Sequence, residues 1–359
     1  MIDWAGTIAG VALPLHDDES IDWDSLESHL ETFPGCGLTG VVVNADTGEG
    51  GLLTRREREQ VLRFAVEQIG DRVPVTAGLL PGHTPEVADE ARAAGELGAA
   101  AFQVFTPPAF LGAPLAAEPV VAYYEAIAGA TDVPLIAYQA PAGLGVTFEP
   151  DVLLRLAGVP GVRALKESSW SREGFARSAR AFAGEAHEIA LLSGQDSFIL
   201  DSLRTGADGA MLAAAATDAA VYSTLWERRN SDEAAALQAA FDPYLDRLFA
   251  PPLRDFRSRL KAVLAADGVI AGTAVRSPLR RIADDEAAAV VAAHDAARER
   301  AAALPSLSTS RANPATARPV EFRCARTAAS AASASCVARA SRIALCSFRA
   351  CALLCRRCT

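Results

Sequence analysis

PLIAYQAPAGLGVTFEPDVLLRLAGVPGVRALKES, residues 134–168, decides the fold. Two short apolar runs, 134–139 and 162–167, flank a helical segment at 151–157 that Glu149-Pro150 opens, with proline in the first helical turn. Neither run alternates polar with apolar residues. A strand buried on one face alternates, whereas a parallel strand covered on both faces reads as a continuous apolar run. The stretch therefore predicts a βαβ unit with parallel strands.

The same rhythm extends in both directions. Strand candidates lie at 7–15, 40–44, 73–79, 100–105, 134–139, 162–167, 189–194 and 209–213. Helical segments fall between them at 55–69, 86–97, 119–130, 151–157, 172–183, 197–205 and 218–229. Thr54 and Glu57 have the spacing of a capping box, and Thr84-Pro85 opens the next helix. Eight strands alternating with these seven helical segments predict an α/β fold, a closed (β/α)8 TIM barrel over residues 1–230. An open doubly wound sheet would carry a glycine fingerprint after its first strand, and Pro14-Leu15-His16-Asp17 offers none. After Asn230 the strands stop. Helical stretches at 232–249, 254–265 and 284–303 predict a C-terminal helical subdomain over 231–305.

Residues 306–359 read differently, as a low-complexity, disordered tail of Ala, Ser, Arg and Cys without periodicity. They hold nine Arg and one Glu, so the net charge of −10 leaves −18 for the remainder. A body that acidic excludes nucleic acid held through its phosphates. No apolar run reaches the roughly 18 residues that span a bilayer. The start, MIDWAGTIAG, lacks the basic region of a secretory signal, so a cytoplasmic protein is expected. Only Cys36 lies outside the tail, and the five histidines are scattered, so no metal site is expected.

Barrel active sites sit at the carboxyl ends of the strands. Lys166 ends the sixth strand, and the chain has only one other lysine, Lys261, among many arginines. Lys261 falls in a polar helical pattern with Arg257 and Arg259 that reads as solvated. A lysine closing an apolar strand is either paired, for instance with Glu167, or held neutral. A neutral amine can attack a carbonyl, which arginine cannot do. Tyr138 ends the neighbouring strand, where a phenol either satisfies a backbone carbonyl or relays protons. Thr47-Gly48, after the second strand, offers a hydroxyl and amides to a carboxylate, or is an ordinary turn. Gly194 and Gly206–Gly209 could serve a phosphate-binding barrel enzyme, but a turn role suits them better.

Read together, these segments resemble the dihydrodipicolinate synthase and N-acetylneuraminate lyase family. The resemblance rests on Thr47-Gly48-Glu49 after strand two, Tyr138-x-x-Pro141 after strand five and Leu165-Lys166-Glu167-Ser168 at strand six. Leu53-Thr54-x-x-Glu57-Arg58, Val73-Pro74-Val75-x-Ala77-Gly78, Ser193-Gly194-x-Asp196 and Gly206-Ala207-x-Gly209 add to it, so that it spans about residues 6–300. It implies that Lys166 condenses with pyruvate or a related 2-oxo acid, without a separate cofactor. It implies too that Tyr138 shuttles protons and that Thr47 and Gly48 hold the carboxylate. Met211 on strand eight joins them as a substrate-binding candidate, and a homo-oligomer, dimer or tetramer, is implied.

Three positions depart from the pattern. Asp46 stands where the synthases' GTTGE turn has its first threonine, and either acts as a base or pairs with Lys166. Pro107-Pro108-Ala109 replaces a Pro-Tyr-Tyr whose second tyrosine reaches a neighbouring subunit. Gly143 replaces the arginine that binds the second substrate's carboxylate. The expected activity is therefore an aldolase or dehydratase for a bulky or hydroxylated 2-oxo acid. A true 4-hydroxy-tetrahydrodipicolinate synthase and a 2-oxo-acid-binding regulatory barrel stand as alternatives.

Overall fold

The computed structural model describes residues 2–111, 115–141, 145–183 and 189–304. Gly143 and the 306–359 segment lie outside these residues. Eight parallel strands, β1 (Thr7–Gly10), β2 (Gly40–Val43), β3 (Val75–Leu79), β4 (Ala101–Val104), β5 (Leu135–Gln139), β6 (Val162–Glu167), β7 (Ala190–Ser193) and β8 (Gly209–Leu212), pair in sequence order. β8 closes on β1, completing the barrel. Helices α1 (Trp23–Leu30), α2 (Arg55–Ile69), α3 (Thr84–Glu96), α4 (Ala117–Ala128), α5 (Pro150–Ala157), α6 (Arg172–Ala183), α7 (Ile199–Thr205) and α8 (Ala219–Glu227) alternate with them. Three more follow, α9 (Asp232–Leu248), α10 (Phe256–Ala266) and α11 (Asp284–Ala302). Among the described residues no helix is long and apolar enough to cross a membrane.

Local chemistry sets these boundaries. Thr54 and Glu57 form the reciprocal capping box that starts α2 at Arg55. Asp22 caps α1 by accepting from the Ser25 amide at 3.0 Å, a start signal that the sequence analysis did not use. β1 is shorter than expected. Val11 still donates to the Val42 carbonyl at 2.9 Å, but the chain then leaves the ladder toward Pro14, which has no amide to donate, and Leu15 pairs antiparallel with Ile21 instead.

Strand alternation sorts side chains into two cores. Ile8, Val42, Ala101, Ile136, Tyr138, Ala164, Leu192 and Met211 fill the barrel interior. Val41, Val43, Leu135, Ala137, Val162 and Leu165 face outward against the helices. Because Tyr138 and Lys166 are register partners across β5 and β6, both fall on the inward face at the carboxyl mouth. Glu167, one residue on, must face outward.

Candidate active site

Lys166, Tyr138, Asp46, Thr47 and Met211 line one cavity of about 590 Å³ at the barrel mouth. Aromatic residues from three directions, Phe105, Trp170, Phe249 and Phe256, wall it. The segment between α9 and α10, with Arg254, and the first turn of α10, with Arg257, complete its lining.

Among the described residues, Lys166 Nζ makes no hydrogen bond and no ion pair. It lies 5.1 Å from the centroid of the Tyr138 ring. Burial holds its amine below the ordinary lysine range, against the Asp46 and Asp196 carboxylates, which pull it up. The Tyr138 hydroxyl donates to Asp46 Oδ2 at 3.4 Å, and burial with the Asp46 charge raises the phenol well above its usual value. Tyr138 also packs edge-on against Phe105 at 4.9 Å between centroids, which fixes its ring.

The alternative in which Lys166 pairs with Glu167 does not occur. The Glu167 carboxylate accepts from Gln139 Nε2 at 2.7 Å and from Gln195 Nε2, behind the barrel wall. That network ties the ends of β5, β6 and the loop after β7 together and so steadies the strand bearing Lys166. Nor does Asp46 pair with Lys166. Its Oδ1 faces Arg257 Nη2 at 3.2 Å, and its backbone carbonyl accepts from Arg257 Nε at 2.5 Å.

The 44–49 turn is bracketed by two residues in the left-handed region, Asn44 at φ 59° and Glu49 at φ 55°. Glu49 N closes onto the Asp46 carbonyl at 3.2 Å, whereas the Thr47 and Gly48 amides have no acceptor among the described residues. Thr47 lines the cavity, whereas Gly48, the other substrate-binding candidate of the turn, is not among its lining residues. Below the turn lies the largest correction to the sequence analysis. Lys261 is not solvated but fully buried in α10, ion-paired with the equally buried Glu49 and donating to the Ala274 carbonyl at 2.7 Å. Glu49 Oε2 also accepts from the Arg276 amide at 2.7 Å.

Three further groups reach the cavity that the sequence analysis did not assign to it. Asp196 is buried there and accepts from the Ala214 amide at 2.8 Å. Burial lifts its carboxyl to about 6. The Ser193-Gly194-x-Asp196 pattern marks its position in the sequence but not its role. The Ser168 hydroxyl, just past the end of β6, is buried in the cavity lining with no partner among the described residues. Gly194 makes room for both, since a Cβ there would stand 1.8 Å from Ser168 Oγ and 3.1 Å from Lys166 Cε. Arg257 is the third. Gly206, by contrast, ends α7 at φ 120°, the turn role.

Metal-type ligands come together elsewhere. Asp267, His294 and Asp295 lie within 4.8 Å of one another, outside the cavity. There His294 Nε2 meets Asp218 Oδ2 at 2.6 Å and Asp267 Oδ2 meets Arg298 at 2.8 Å.

A closed barrel with a lone amine and a phenol as register partners at its carboxyl mouth has the architecture of the Schiff-base lyases. Residues 3–297 match the model of the dihydrodipicolinate synthetase family, and the chain belongs to that family. A 4-hydroxy-tetrahydrodipicolinate synthase of Stenotrophomonas maltophilia is 34% identical over 205 residues, 57% of this chain and 67% of the relative. A DapA-like lyase of Halobacterium salinarum is 29% identical over 288 residues, 80% of this chain and 92% of the relative. Among solved structures, the chloride-inhibited dihydrodipicolinate synthase of Acinetobacter baumannii, complexed with pyruvate, superposes with a TM-score of 0.73 at 26% identity. That match covers 82% of this chain and 99% of that one. The protein is an enzyme, a lyase of the class I aldolase type.

Proposed function

We propose that this enzyme cleaves, condenses or dehydrates a hydroxylated 2-oxo acid, with pyruvate or a close relative as the unit held on Lys166. The observation that carries this reading is the Lys166 amine. It is unpaired, held below its ordinary range by burial, and faces a cavity beside Tyr138. The neutral amine attacks the C2 carbonyl. The carbinolamine then loses water as protons pass through Tyr138 and Asp46, leaving an iminium that accepts the electron pair of the C3–C4 bond or of a C3–H bond. That iminium is the electron sink, so the proposal needs no separate cofactor and no metal. The carboxylate of the 2-oxo acid sits on the Thr47 hydroxyl and the free Thr47 and Gly48 amides, with Met211 beneath. Ser168 and Asp196 face the remainder of the substrate and suit its hydroxyl groups. A cytoplasmic homo-oligomer, dimer or tetramer, belongs to the same reading.

A second reading is favoured by the name that several relatives carry. The 4-hydroxy-tetrahydrodipicolinate synthase reaction would join pyruvate to an amino aldehyde. Asp46 in place of threonine and Pro108-Ala109 in place of two tyrosines argue against it. One screen separates the two. Under the leading reading, a panel of 4-hydroxy-2-oxo acids of sugar-derived and aromatic type contains at least one compound from which pyruvate is released. Consumption of aspartate semialdehyde with pyruvate, and release from no panel member, would favour the synthase.

A further inference from the structure

We propose that Arg257 is a positioning residue of the active site, holding the Asp46 carboxylate on Tyr138 and away from Lys166. The inference rests on the Schiff-base reading of Lys166 and extends it to helix α10. Its basis is geometric. Asp46 divides its two carboxylate oxygens, Oδ1 facing Arg257 Nη2 at 3.2 Å and Oδ2 accepting from Tyr138 at 3.4 Å. Arg257 Nε fixes the same residue a second time through its backbone carbonyl. The guanidinium is anchored in turn, with Nη1 donating to the Arg254 carbonyl at 3.3 Å and its plane lying over Phe256, 4.7 Å from the ring centroid. Its side chain is 16% exposed, against 50% for Asp46. The better-buried partner thus holds the more exposed one in place.

The need for such a grip follows from the sequence. A carboxylate at position 46, where the resembling synthases have threonine, is a ready ion-pair partner for the only amine in the cavity. A Lys166 engaged in that way would stay protonated and could not attack a carbonyl. Arg257 gives Asp46 a different cation, so that the turn keeps an acceptor for Tyr138 while the amine stays free. Other charged or titratable groups face this pair. They are Lys166 on β6, Tyr138 on β5, Asp196 after β7 and Arg254 before α10, with the Glu49–Lys261 pair and Arg276 behind the turn.

The test uses the full-length enzyme and pyruvate as probe. The rate of adduct trapping by cyanoborohydride is followed against pH by intact mass. In R257Q, Asp46 is uncompensated, so the ammonium form of Lys166 is favoured and the midpoint of the rate profile moves up. Asp46 is half-exposed and solvent screens its charge, so the expected shift is about one pH unit. In D46N, Arg257 is uncompensated and the midpoint moves down. The double variant removes a neutral pair and returns the midpoint to near the parent's. R257K keeps the charge and stays with the parent. A residue that merely packs α10 would not produce opposite signs that cancel. An unmoved midpoint in R257Q overturns the role of Arg257 while the lyase reading survives. Should R257Q fail to fold, D46N still decides, because a midpoint that does not fall overturns the role. No adduct in the parent overturns the lyase reading and this role with it.

Discussion

Lys261→Met unfolds more easily than the parent by about 3–5 kcal/mol, the cost of leaving a buried carboxylate without its cation. Glu49 and Lys261 are both fully buried, and burial pushes the Lys261 amine below its ordinary range, so its proton is retained through the Glu49 charge facing it. Removing the lysine leaves Glu49 with the Arg276 amide as its remaining polar contact. Glu49 is also the left-handed residue that ends the Thr47-Gly48 turn. The variant therefore binds pyruvate less tightly as well, with KM rising more than kcat falls. Replacing both partners, Glu49→Leu with Lys261→Met, recovers most of the lost stability, because an apolar pair of similar volume carries no desolvation cost. Denaturant unfolding of the three proteins checks this. A Lys261→Met midpoint equal to the parent's would show that the buried pair does not stabilise the fold.

Tyr138→Phe lowers turnover by roughly 100-fold to 10,000-fold, the range a positioned proton-transfer group supplies. The fold should be untouched. The ring keeps its edge contact with Phe105 and its face toward Lys166, and the lost hydroxyl contributes one long 3.4 Å hydrogen bond. Exchange of the pyruvate methyl protons for deuterium, followed by NMR, reads the relay without knowledge of the second substrate. The expected result is exchange slowed at least about 100-fold with an unchanged unfolding midpoint. Exchange at the parent's rate would mean that another group, with Asp46 and Asp196 the carboxylates at hand, moves the proton.

These predictions divide along the line between what local sequence specifies and what distant packing decides. The barrel was legible because continuous apolar runs, proline at helix starts and a capping box at Thr54 are local signals, and α2 begins and ends where those signals place it. The pairing of Tyr138 with Lys166 was legible too, since both close strands of one βαβ unit. Strand alternation could also have excluded a Lys166–Glu167 pair, because adjacent strand residues face opposite sides. Lys261 was misread for a different reason. In α10 it follows Arg257 and Arg259 in a run of charges that reads as polar, yet the chain at Ala274 and the turn at Glu49 enclose it, and its partner lies 212 residues away. Arg257 reaches Asp46 across 211 residues. No window of local sequence contains either partnership. Asp196 stood in a recognised pattern, but its nearness to Lys166 depends on the register of β6 against β7 and on the turn beyond β7.

The chain offers a direct test of its central claim because it contains two lysines, one facing the cavity and one buried beneath the turn. The enzyme is incubated with pyruvate, reduced with borohydride and mapped by peptide mass spectrometry. The account predicts one pyruvate-derived adduct per chain, on the peptide containing Lys166, with Lys261 unmodified. An adduct on Lys261, or none on either lysine, would contradict it.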